Sequence, residues 1–290
     1  MPKIYTQVSA QSWRRLGAHV KFYHRLRLYA GFSEFLVVDR SKEGYGLDNY
    51  IWKHDLENLS NLLPQLRRFI EDTMPALQER RYDVTWKPDG SPVTAADIYL
   101  ENAIYDWLKG HIPGIILIGE ESWTPEQKTG SDWVAVLDPI DGTENFCSGL
   151  KEWGTSLSLW RGGKHQGSML LMPELGEGMI SGDIPLVPRS RIVGFSSSFT
   201  PDIGQGLAEN PEGRIMGCAV YNLFNVIRGA YARFVNPKGA YSWDLLAGVA
   251  LASEAGCIVK IDGEYYDGQF LQPGRRYCVD IQHRYDIHPR

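Results

Sequence analysis

The sequence predicts a layered α/β protein, and three observations carry that expectation. Two short, continuous apolar runs, residues 115–118 and 133–137, read as strands covered on both faces. Apolar residues at helical spacing precede these runs and recur after them. Both kinds of segment alternate in blocks, as they do where helices pack on the faces of sheets. Of the 290 residues 43% are hydrophobic and 22% charged, and 30 Lys and Arg against 35 Asp and Glu leave a net charge of −5. Those values exclude disordered, collagenous and low-complexity classes. No apolar run approaches the roughly 20 residues a membrane helix needs. The length leaves one large domain or two smaller ones open.

Residues 1–50 stand apart from residues 51–290. No acid falls between Met1 and Ser33, whereas Arg14, Arg15, Lys21, Arg25 and Arg27 crowd together with His19 and His24. An Arg-rich targeting peptide, a basic arm for nucleic acid or a partner, and a plain extension with a solvated basic face compete here. Trp13, Phe22, Tyr23, Leu26, Leu28 and Tyr29, in place of the serines of a targeting peptide, favour the plain extension. Gly44, Gly46, Asp48 and Asn49 then make residues 44–49 a linker.

From 55 to 81, Leu59, Leu62, Leu63, Leu66, Phe69 and Ile70 recur at helical spacing, with Pro64 and Pro75 as kink points. After the loop at 87–92, Leu100, Ile104, Trp107 and Leu108 predict a second helix that stops at Gly110. The two apolar strands follow. Residues 155–160 and 165–172 then flank Gly162 and Gly163 as a hairpin. Residues 220–235 and 244–254 carry helix-like apolar content, the second closed by Gly256. Cys147, Cys218, Cys257 and Cys278 form no CxxC pair in a chain too large to need staples, so they are expected to be reduced in a cytoplasmic protein.

Both apolar strands end in acids: Glu120 and Glu121 after the first, Asp138 and Asp141 after the second. Sites in open α/β sheets lie beyond the carboxyl ends of strands, and acids beside a buried strand need a neutralising partner. Asp244 heads a run, 245–252, that is wholly apolar or glycine. Hard oxygen donors of this kind suit Mg²⁺, and no Cys or His cluster suggests zinc. Each acid also has a plain structural reading. Glu120 and Glu121 fit an exposed turn, residues 138–142 an Asp/Pro/Gly turn, Asp244 an N-cap, and Thr94 with Asp97 a capping box.

Taken in order, Gly119-Glu120-Glu121-Ser122, Asp138-Pro139-Ile140-Asp141-Gly142-Thr143 and Trp243-Asp244-Leu245-Leu246-Ala247-Gly248 resemble the inositol monophosphatase superfamily. The stretch from Lys87 to Asp97 resembles its further motif, and the resemblance runs from about residue 55 onward. It implies an alternating α/β/α/β/α sandwich of the inositol monophosphatase and fructose-1,6-bisphosphatase type, with residues 51–290 as the catalytic domain and 1–50 as an extension of unassigned role. It further implies a Mg²⁺-dependent, Li⁺-inhibited phosphatase with two or three ions. Glu120, Asp138 and the Ile140 carbonyl would hold one ion, and Asp138, Asp141 and Asp244 a second. Thr143 and Asp97 would form a hydroxyl–carboxylate dyad that takes a proton from the attacking water.

The same resemblance places phosphate and substrate on Gly142, Thr143, Gly217, Cys218 and Ala219. Where relatives hold an inositol ring with Glu this chain has Pro237, while Arg233 and Lys238 make the expected pocket edge basic, unless they are merely solvated. The expected substrate is a small sugar, polyol or inositol monophosphate. A 3′(2′),5′-bisphosphorylated nucleoside is the alternative, and an RNA- or protein-binding regulator using the basic N-terminal segment is the alternative of another class. A homodimer is expected, with neither membrane nor nucleic acid as partner.

Overall fold

The computed structural model describes residues 61–127, 132–183, 189–197 and 200–283, together with the backbone of 23–27 and 33–37. The chain divides into two units, Met1–His54 and Asp55–Arg290. In the first, β1 (Tyr23–Arg27) pairs antiparallel with β2 (Ser33–Val37). The remainder of the basic stretch and the linker at 44–49 lie outside the described residues.

The second unit begins with helical residues 61–72 (α1), which bury Leu62, Leu63, Leu66 and Ile70 on one side. The helix expected over 55–81 breaks at Thr73 and resumes as α2 (Met74–Arg80), with Pro75 in its first turn. Pro75 has no N–H to continue the ladder, so the chain restarts a helix where proline is tolerated. The hairpin β3 (Val84–Trp86) and β4 (Pro92–Thr94) leads into α3 (Ala95–His111), which buries Leu100, Ile104 and Leu108. Gly110 lies inside α3 rather than ending it. The helix closes one residue later, where Ile112 N–H reaches the Leu108 carbonyl, and Gly114 takes the positive φ of the exit turn.

β5 (Ile116–Gly119) and β6 (Trp133–Asp141) are the two apolar runs, paired in parallel. The short α4 (Thr143–Cys147) follows β6. β7 (Gly154–Arg161) and β8 (Lys164–Met172) form the expected hairpin, and Gly162 and Gly163 both adopt the positive φ of such tight turns. β9 (Glu177–Ile180) completes a five-stranded sheet in the order β5-β6-β7-β8-β9.

The second half contributes β10 (Val193–Phe195), α5 (Pro201–Glu209), β11 (Gly213–Ile215), α6 (Ala219–Ile227), β12 (Arg233–Ala240), α7 (Ser242–Glu254), β13 (Ile258–Ile261), β14 (Glu264–Tyr265) and β15 (Tyr277–Gln282). These strands form a six-stranded sheet, β11-β10-β12-β15-β13-β14. The helix expected over 220–235 therefore ends at Ile227. Arg228 N–H caps it, Gly229 turns the chain, and residues 233–235 join β12. Apolar content alone did not separate a buried helix from a buried strand there.

Three apolar clusters define the layers. α1, α2 and α3 pack on one face of the five-stranded sheet through Leu66, Leu100, Ile104 and Leu157. α6 and α7 lie between the sheets, with Leu223 and Leu246 meeting Leu170 on one side and Phe234 and Ile281 on the other. Ile203 of α5 covers the opposite face of the second sheet at Val193, Phe195 and Val235. Phe234 and Val235 face opposite ways because strand side chains alternate. The result is the five-layer α/β/α/β/α order. Among the described residues no helix is long and apolar enough to cross a membrane.

Candidate active site

Three carboxylates converge where β5 and β6 end and α7 begins. The turn after β5 is tied to β6 by Glu120 N–H donating to the Leu137 carbonyl at 3.1 Å. Asp138 lies in β6 immediately before its register shifts against β7. Asp244 sits in the first turn of α7, where its Oδ2 accepts the Tyr241 N–H at 2.6 Å. One oxygen each of Glu120, Asp138 and Asp244 lie within 4.8 Å of one another. Asp138 is 1% exposed, and its Oδ1 has no hydrogen-bond partner.

Burial lifts the Asp138 carboxyl well above the ordinary range, and the charges of Glu120, Asp141 and Asp244 lift it further. Loss of water likewise raises Asp244, with Glu120 and Asp141 adding to it. Crowded acids with an orphaned buried oxygen are costly by themselves. An all-oxygen set of this kind fits a divalent cation such as Mg²⁺.

Two of the other expected ligands are engaged with protein groups. Asp141 Oδ2 accepts the Val220 N–H and the Cys218 thiol, the latter at 2.9 Å, which fastens the end of β6 to the start of α6. Burial raises Asp141 to about 6 against those lowering bonds. The Ile140 carbonyl lies 2.9 Å from the Thr143 hydroxyl.

Asp97 serves two purposes with its two oxygens. Oδ2 accepts the Thr94 N–H at 2.8 Å, completing the capping box of α3, while Oδ1 lies 3.1 Å from Thr143 Oγ1. The capping role of this residue and its contact with Thr143 therefore coexist. Burial pushes Asp97 up to about 6, against the lowering bonds from Thr94 and Thr143.

Gly142 reaches α4 with a φ of 83°, and a Cβ there would lie 2.9 Å from the Cys218 Cβ. Only glycine lets the α4 and α6 starts approach so closely. Gly217, Cys218 and Ala219 line the adjoining cleft of about 140 Å³ together with Asp141 and Asp244. Arg233 and Lys238 do not line it. The Arg233 guanidinium instead donates twice, at 2.7 Å each, to Asp280 on β15, and Lys238 is exposed.

Several contributors were not singled out individually from the sequence. Lys87 donates to Glu120 at 2.8 Å and Glu121 at 2.9 Å, and these carboxylates outweigh burial to hold its ammonium above the usual range. Its only signal was membership of the motif-like stretch before Asp97. Glu101, 4% exposed, accepts the Glu121 N–H at 3.0 Å. Ser196, Asn222 and Arg276 line the cleft from three separate segments that no local pattern connects.

Residues 59–183 match the model of the Inositol monophosphatase family. The chain is 36% identical over 98 residues to the bifunctional phosphatase IMPL2, chloroplastic, of Arabidopsis thaliana, covering 34% of this chain and 28% of that protein. It is 36% identical over 89 residues to the histidinol-phosphatase of Mycobacterium tuberculosis, covering 31% and 34% respectively. The matches thus span about a third of these relatives' length. A solved IMPase/NADP phosphatase complexed with Mg²⁺ and phosphate superposes with a TM-score of 0.66 over 79% of this chain and 92% of that one, at 20% identity. Residues 59–183 thus match the Inositol monophosphatase family model, and the layered fold is similar to that of solved IMPase structures along most of the chain.

Proposed function

We propose that the protein is a Mg²⁺-dependent phosphomonoesterase acting on a small sugar, polyol or inositol monophosphate. The observation that carries this reading is the convergence of Glu120, Asp138 and Asp244, with Asp138 Oδ1 unpartnered, near the Thr143–Asp97 pair. Glu120, Asp138 and the Ile140 carbonyl would hold one ion, and Asp138, Asp141 and Asp244 another, in a set of two or three that Li⁺ would inhibit. When bound, the ions neutralise phosphate charge and lower the pKa of a water nucleophile.

The chain's own groups then position and deprotonate. Asp97 Oδ1 orients the Thr143 hydroxyl, and this dyad accepts the proton lost by the attacking water. With a pKa near 6, Asp97 is mostly ionised at neutral pH and available as that acceptor. The backbone N–H groups of Gly142 and Thr143 would take phosphate oxygens at the start of α4, where intrahelical acceptors are lacking. Gly217, Cys218 and Ala219 would border the leaving alcohol.

The same reading has the enzyme work as a cytoplasmic homodimer with residues 1–50 separable from the chemistry; the four free cysteines accord with a reducing compartment. It favours catalysis over a purely RNA- or protein-binding role because the whole expected acid set and Thr143 are present. The test is phosphate release by the full chain from inositol, sugar and nucleoside phosphates, with Mg²⁺ and after chelation. Release that vanishes with EDTA and returns with Mg²⁺ is expected. A folded protein that hydrolyses none of these esters would refute the reading.

A further inference from the structure

The cleft beside Asp141 and Asp244 has an uneven lining. Ser196 and Asn222 both line it, both are at least nine-tenths buried, and the Ser196 hydroxyl and the Asn222 Oδ1 have no hydrogen-bond partner, the Asn222 Oδ1 lying toward Gly194. Unpaired buried polar atoms are costly, so the Ser196 hydroxyl at this wall is a place where a ligand hydroxyl would relieve an unmade bond. Opposite in charge to the acids stands Arg276, the only cationic residue lining the cleft among the described residues.

Arg276 is also held in place. Its guanidinium lies 4.5 Å over the Tyr241 ring, and Nη1 donates to the Gly239 carbonyl at 3.2 Å. Among the described residues no carboxylate lies within ion-pair distance of it, whereas Arg233 is fully engaged by Asp280. A guanidinium fixed by an aromatic face and a carbonyl, with donors to spare and no counter-ion, is prepared for an incoming carboxylate or phosphate.

We propose that Arg276 is a specificity-determining residue that grips a second anionic group on the alcohol portion of the substrate, with Ser196 meeting one of its hydroxyls. The substrate class is then a hydroxylated phosphomonoester bearing a further phosphate or carboxylate. This rests on the phosphatase reading for the chemistry and narrows its substrates to hydroxylated esters whose leaving group carries a second anion. Arg276 is exposed at the edge of the cleft, so selectivity arises from the charge-assisted bonds that only an anionic group gains there.

The experiment compares kcat/KM of the full chain for matched pairs. Fructose 1,6-bisphosphate against fructose 1-phosphate tests a second phosphate; 3-phosphoglycerate against glycerol 3-phosphate tests a carboxylate. Each pair is measured in the wild type, in Arg276→Met, which keeps an apolar stem on Tyr241, and in Arg276→Lys, which keeps the charge without the fork. Arg276→Met should reduce the preference for the doubly anionic member of at least one pair tenfold or more, mainly through KM, with partial recovery in Arg276→Lys. Dissociation constants for the same pairs, taken with Ca²⁺ replacing Mg²⁺, give a readout independent of turnover. An Arg276-dependent binding preference without any hydrolysis would refute the phosphatase reading and keep this one. Hydrolysis with equal losses on both members of every pair, or with none, would overturn the role of Arg276.

Discussion

The Glu101 carboxylate fills the space that any side chain at Gly119 would occupy, and its Oε2 accepts the Glu121 N–H at 3.0 Å. A buried acid on α3 thus holds the turn that carries Glu120, with Ser122 as a second hydrogen-bond partner. Groups that orient a ligand tune metal affinity without touching the ion. Glu101→Leu should raise the Mg²⁺ concentration for half-maximal activity about 10- to 100-fold. Glu101→Gln, which retains an acceptor, should restore most of it. Equal Mg²⁺ dependence in all three proteins would show that Glu101 does not position the turn. Gly119→Ala should cost roughly 1–3 kcal/mol in denaturant unfolding through overpacking.

Asp138→Asn should separate stability from activity. Replacing the most buried of the clustered acids removes repulsion against Glu120, Asp141 and Asp244, so the metal-free variant should melt above the metal-free wild type. Each kcal/mol gained is worth about 2–4 °C in a domain of this size. Mg²⁺ should no longer raise its Tm, and phosphate release should be lost. Calorimetry with and without EDTA checks both statements, and a retained Mg²⁺ shift would contradict the assignment.

Asp97 contributes part of the pH dependence of stability, alongside Asp141, which burial also raises to about 6. Burial raises the Asp97 pKa from the ordinary 3.8 to about 6, so the folded state holds this proton more tightly than the unfolded chain. The resulting stabilisation is complete below about pH 4 and is lost as pH rises through 6. In EDTA, Asp97→Asn should therefore flatten the decline in denaturant midpoint across that window. Thr143→Val, which removes the hydroxyl but not the acid, should keep that decline but move it to higher pH, because a bond that lowers the Asp97 pKa is lost, and reduce turnover by about 10²–10⁴-fold. An unchanged decline in Asp97→Asn would assign it to other groups.

Arg233 should behave as a brace between strands. Its two bonds to Asp280 join β12 to β15 diagonally, since Arg233 is opposite Gln282 and Asp280 opposite Val235, and the pair is half-exposed, which limits it to roughly 0.2–1 kcal/mol. Arg233→Ala and Asp280→Asn should each lower stability by about that much. Their effects should not add in the double variant, because either change alone breaks the pair. Neither should alter the preference between mono- and bisphosphorylated esters that Arg276 is expected to set. A shift in that preference on Arg233→Ala would return Arg233 to the substrate.

The layered class, the strand runs before Glu120 and through Asp138, the β7–β8 hairpin and the capping box of Asp97 were legible in the sequence because each is written by near neighbours: apolar runs, paired glycines, or a threonine three residues before an acid. The acids at 120, 138, 141 and 244 were legible as a set because their flanking residues form motifs. The split of α1 from α2, the end of α6 at Ile227 and the placement of Arg233 were decided elsewhere, since a buried strand and a buried helix share the same apolar composition and only the sheet they join distinguishes them. The cleft lining was least legible. Ser196, Asn222 and Arg276 meet because β12 lies between β10 and β15, so the hydrogen-bonding needs and charge of that wall come from chain crossings in the second sheet, which no local run of residues encodes.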